Sequence, residues 1–140
     1  MKLLRLFITV YFMTIASWAS ADLAVVVNKD HPLDAITIDE AAAIFMGQTK
    51  QLKGHPLTPI DQAAKKKTKN RFYLKVSKKT PIQMKAYWSR LLFSGRGSPP
   101  LSLESTEDLK SIVSEEIDYI SYLDTKDLDG SVKVILVIAE

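Results

Sequence analysis

Eight cations fall within fifteen residues, at Lys65, Lys66, Lys67, Lys69, Arg71, Lys75, Lys78 and Lys79. Such a run draws anions by charge, and because lysine is a compact, flexible point charge, the site it makes is unselective and salt-sensitive. The same run is also what a solvated helix face looks like, and the sequence leaves both readings standing. Ser94, Gly95, Arg96 and Gly97 form a second candidate. Glycines let a backbone turn its N–H groups inward as an anion nest, and Arg96 adds charge; the alternative is a loop that ends a helix. Acids crowd the other end of the chain, at Glu104, Glu107, Asp108, Glu115, Glu116, Asp118, Asp124, Asp127 and Asp129.

Catalysis finds no comparable cluster. His31 and His55 each adjoin a proline in an expected loop, without metal-ligand spacing. Cysteine is absent, and no Gly-x-Ser-x-Gly elbow occurs. We therefore expect no enzyme, no metal and no cofactor. Trp88, Tyr87, Phe93, Tyr119 and Tyr122 fall at helix or strand spacing, where an aromatic stripe is ordinarily core.

The elements that must position these groups begin with Leu23 to Val27, an apolar run suited to a strand buried on both faces. Turn residues Asn28 to Pro32 break it, Thr37 and Glu40 have capping-box spacing, and Gly47 ends the helix that follows. Gln48 to Pro56 reads as a loop and Leu57 to Asp61 as a short strand, with a helix over Lys66 to Val76. Thr80, Pro81 and Gln83 open another helix that runs to Phe93, and Ser94 to Pro100 cannot stay helical. Ser105 caps a helix to about Ser114; Ile117 to Tyr122 and Val132 to Ile138 are strands joined by a turn near Asp129 and Gly130. Strands alternating with helices predict a single α/β domain with a mixed, mostly parallel sheet flanked by helices. Ligands on such sheets sit beyond the carboxyl ends of strands, where Asp61 to Thr68 falls.

Residues 1–21 have the three parts of a secretory signal: Lys2 and Arg5, an apolar run from Leu6 to Ala16, and small residues ending Ala19, Ser20, Ala21. The apolar run is shorter than the roughly 20 residues of a spanning helix, so the expectation is cleavage before Asp22, no stable membrane anchor, and a periplasmic domain over 22–140. Losing Lys2 and Arg5 lowers the formal charge from +3 to +1, which removes a net-charge argument for nucleic acid.

The strand ending in Asn28 and the helix closing on Ile44, Phe45, Met46, Gly47 resemble the corresponding segment of periplasmic phosphate-binding proteins, the type 2 solute receptors of phosphate ABC transporters. Leu57 to Gln62, Arg71 with Phe72, and Ile117 to Tyr122 followed by Val132 to Ile138 fit in the same order, and Trp88 to Gly95 is similar to a Trp-Ser-Arg-x-x-Phe-x-Gly run of short, single-lobed relatives. The resemblance implies one lobe of such a receptor, binding phosphate or a related oxyanion. It matches the receptors' ligand junction to Asp61 through Thr68, with Thr68 keeping the family's residue type and Asp61 or Gln62 standing where its arginine would be; Lys66 and Lys67 offer a separate route to an anion through charge, and Arg71 either matches the family's Arg-Phe as a ligand group or snorkels over the core. Ser94, Gly95 and Arg96 complete the candidate set. Partners implied are a small anion and an inner-membrane transporter, a porin or a sensor, with pairing of two copies left open. The alternative is an envelope interaction module that kept the fold and lost the pocket.

Overall fold

The computed structural model describes residues 21–64 and 66–140, so the expected leader, apart from Ala21, and Lys65 lie outside the described residues. Strand β1 (Leu23–Val27) is buried at all five positions and lies mid-sheet, between β6 (Tyr119–Asp124) and β7 (Lys133–Ile138), antiparallel to both. Its alternate side chains serve opposite faces: Leu23, Val25 and Val27 join one core, and Ala24 and Val26 join another. The five-stranded order is β5-β4-β6-β1-β7. Strand β4 (Thr58–Gln62) runs parallel to β6 and to the three-residue edge strand β5 (Leu101–Leu103). Four strands thus share one direction and β1 opposes them, the mixed, mostly parallel sheet that was expected.

Helices cover both faces. Helix α1 (Ile38–Phe45) and α2 (Lys67–Ser77) bury Ala41, Ile44, Phe45, Phe72, Tyr73 and Val76 with the odd-numbered side of β1, while α4 (Thr106–Glu115) buries Leu109 and Val113 on the other side. Helix α3 (Pro81–Phe93) lies over the first face yet fully buries only Met84. Local chemistry fixes the ends. Thr37 with Glu40, and Thr80 with Gln83, form complete capping boxes. Helices α1 and α3 close alike: Gly47 and Gly95 take positive φ, donating N–H to Ile44 and Leu92, and the next residues, Gln48 and Arg96, donate to Ala43 and Leu91. This is the Schellman arrangement, which needs a left-handed residue just past the helix.

Four features go beyond what the sequence reading specified. Gln48 to Pro56 contains a small hairpin, β2 (Gln51–Leu52) with β3 (His55–Pro56), too short for a periodic signal. Strand β5 is likewise too short and follows two prolines. Strands β6 and β7 are not neighbours; β1 separates them. His31 and His55, distant in sequence, meet edge-to-face with ring centroids 5.8 Å apart. Among the described residues no helix is long and apolar enough to cross a membrane.

Candidate functional site

Strand β4 delivers Asp61 to its carboxyl end, where the side chain is buried. One carboxylate oxygen accepts from the Tyr122 hydroxyl at 2.5 Å and from the Gln62 N–H at 2.8 Å; the other accepts from the Tyr73 hydroxyl at 2.6 Å, with the Lys69 ammonium 3.5 Å away. Burial, reinforced by the Asp61 charge, pushes both phenols well above their ordinary range, so they are firmly neutral donors. Phe72 stacks on Tyr122 with centroids 3.8 Å apart, fixing one donor ring from below.

Above Asp61 a hollow of about 370 Å³ opens between α2 and α3. Lys69, Asn70 and Tyr73 line it from α2, and Lys79 from the connection, where Lys78 takes a left-handed φ of 57° and reverses the chain. Helix α3 contributes Pro81, Ile82, Met84, Lys85 and Trp88, and Pro99 closes one side. No carboxylate among the described residues lies within ion-pair distance of Lys79 or Lys85. The start of α2 adds positive character, because Lys66 at its cap makes no side-chain hydrogen bond to the first-turn N–H groups.

The expected site residues distribute as follows. Asp61 floors the hollow. Gln62 is buried beside it, but its amide donates to the Tyr122 carbonyl at 2.9 Å. Lys66 and Lys67 are exposed at the start of α2. Thr68 and Arg71 meet at Asp124, the last residue of β6: the Thr68 hydroxyl donates to one oxygen at 2.8 Å and the Arg71 guanidinium to the other at 2.7 Å. Arg71 also holds Glu140 and the Ala21 carbonyl, so its donors face inward partners of the chain. Ser94, Gly95 and Arg96 lie exposed past α3, and the N–H groups of Gly95 and Arg96 close that helix.

Tyr73, Lys85 and Trp88 are lining groups that sequence reasoning did not bring to this site, and Lys69 and Lys79 were read only as members of the basic run. The i, i+4 spacing of Lys69 and Tyr73 was a usable signal, since it puts both on one helix face. The aromatic residues also divide: Tyr122 is core as expected, Trp88 is half-buried between the hollow and Gly47, and Phe93 is 95% exposed, against expectation. Trp88 lies so close to Gly47 that a Cβ there would approach its ring to 3.4 Å.

No family model matches the chain, and no curated protein matches it. Solved structures do. A protein from Clostridium perfringens assigned as a phosphate ABC transporter substrate-binding protein, solved with bound phosphate, superposes with a TM-score of 0.67 at 17% identity over 84% of this chain and 45% of that one. An ABC-type phosphate transport receptor from Vibrio cholerae gives 0.58 at 20% identity, over 84% and 46%. A protein from Planctomyces limnophilus described as phosphate-binding gives 0.58 at 16%, over 84% and 41%. The chain therefore shares the fold of one part of these structures and spans less than half of their length. The likeness to one lobe of such receptors, read from the strand and helix motifs, is borne out at the level of fold.

Proposed function

We propose that the chain is an exported solute-binding domain that holds a small oxyanion, phosphate or a related group, in the hollow at the tip of β4, for uptake or sensing. The observation that carries the reading is the meeting of Lys69, Lys79 and Lys85 around one strand-tip hollow. Oxyanions are held by fixed positive groups that replace their hydration shell, and the strand tip of an α/β sheet is where such groups converge. The exposed Lys66 and Lys67 at the start of α2 add long-range attraction. In this reading residues 1–21 are a cleaved signal, residues 22–140 act in the periplasm, and the solute passes to an inner-membrane transporter, a porin or a sensor. Thr68 and Arg71 hold the fold through Asp124, and the domain is not catalytic.

Thermal unfolding with graded phosphate tests it. Ligand at 100 times its dissociation constant stabilises by roughly 2.7 kcal/mol, so the melting temperature should climb with phosphate and fall back as sodium chloride is added. An unmoved melting temperature at millimolar phosphate, sulfate and arsenate would sink the reading.

One observation favours a second reading, a docking module. Ile82, Ala86, Ser89 and Phe93 follow one line along α3, and Ile82 and Phe93 at its ends are 83% and 95% exposed. If that side meets an envelope protein or a second copy, Phe93→Ser should abolish the association and leave phosphate stabilisation in place.

A further inference from the structure

We infer that the ligand of the hollow is an amphiphilic organic anion, a ring or short branched chain carrying a phosphate or carboxylate, rather than a bare oxyanion; this deepens the anion-binding reading and rests on it. Three features of the hollow lead there. Its volume of about 370 Å³ falls within the 300–1,000 Å³ typical of sites for organic ligands. Its second wall is apolar apart from Lys85: Pro81, Ile82, Met84, Trp88 and Pro99 offer a bare oxyanion nothing, whereas they would cover a ring or branched chain. Its floor is already negative. Both oxygens of Asp61 are occupied by protein donors, and a small anion seated deep in the hollow would face that carboxylate at short range.

The charges therefore sort by partner. Lys69 is drawn to Asp61, while Lys79 and Lys85, without a carboxylate partner among the described residues, lie where an anionic head would meet them. A ligand with its apolar part toward Trp88 and its charge toward these two ammonium groups satisfies every wall. Lysines are not bidentate forks, so they accept phosphate monoesters and carboxylates alike.

Trp18 and Trp88 are the two tryptophans, so the full chain with Trp18→Phe has one indole, in the hollow wall. Its emission is titrated with phenyl phosphate, inorganic phosphate and benzyl alcohol. Phenyl phosphate should perturb Trp88 and bind at least about tenfold more tightly than inorganic phosphate, from the apolar area a phenyl ring covers. Benzyl alcohol should bind far more weakly than phenyl phosphate. Ile82→Ser, at an exposed position that keeps the fold, should shrink the ratio between the two anions, and Lys79→Gln with Lys85→Gln should weaken both. If inorganic phosphate binds as tightly as phenyl phosphate, the amphiphile is overturned and the oxyanion reading survives. If neither anion binds, or benzyl alcohol matches phenyl phosphate, both fall together.

Discussion

Asp61, next to the last residue of β4, and Asp124, the last of β6, stand on two strands that run side by side in one direction, and α2 sends side chains to both. Thr68 and Arg71, three apart, reach Asp124; Lys69 and Tyr73, four apart, reach Asp61. One residue along a helix is a rotation of about 100°, enough to aim these two pairs at different strands. Around Asp124 the guanidinium, the threonine hydroxyl, Glu140 and the Ala21 carbonyl complete a closed set. Around Asp61 the donors come from below and beside, and the upper side opens into the hollow. Similar carboxylates at similar places thus do different work: one, through Arg71, ties Ala21 and Glu140 to the sheet, and the other organises the floor of a cavity.

The sharpest way to break that comparison is to remove the floor. Asp61→Ala leaves two buried phenols without their acceptor, and an unsatisfied buried donor costs about 1–3 kcal/mol. We expect a loss near 3 kcal/mol in urea-induced unfolding at neutral pH, with loss of the binding signal from the hollow. A variant as stable as wild type would mean that the tyrosines find other partners and that Asp61 organises nothing.

Arg71→Ala addresses the closed cluster and should cost less, about 1–2 kcal/mol, because the guanidinium is partly exposed and water replaces some of its bonds. Its anion affinity, measured by the Trp88 titration, should equal that of wild type. A stable variant that binds anions more weakly would reverse the assignment and restore Arg71 as a ligand.

The sequence exposed much of this arrangement where the cause was local. Caps at Thr37, Thr80 and Ser105, the glycine stops, and the doubly buried β1 all rest on residues a few positions apart. The passage from β4 into α2 was legible for the same reason, since strand, connection and helix follow one another directly in the chain. What could not be read was which α2 side chains belong to which strand, since that depends on how the helix is rotated over the sheet. Lys85 and Trp88 were invisible for a related cause: the chain turns at left-handed Lys78 before α3 reaches the hollow, and nothing local signals that a lysine will take the conformation glycine prefers. The bonds from Tyr73 and Tyr122 to Asp61 span 12 and 61 residues. Only the folded sheet makes them neighbours.

The finest distinction between the two clusters is alkaline titration. Tyr73 and Tyr122 are raised by burial and then by the Asp61 charge, so above pH 10 the unfolded chain sheds phenolic protons that the folded chain keeps. Their contribution is fully present below about pH 10 and is lost as pH rises toward the folded values, at up to about 1.4 kcal/mol per pH unit for each phenol. Wild type and Tyr73→Phe should therefore show equal phenolate absorbance just above pH 10 while far-ultraviolet dichroism reports a folded chain, because the deleted phenol was not ionised there. The two curves should part only as the chain unfolds. Lower phenolate absorbance in Tyr73→Phe while both proteins remain folded would mean that Tyr73 is in contact with solvent, and the Asp61 cluster would then be no more protected than a surface pair.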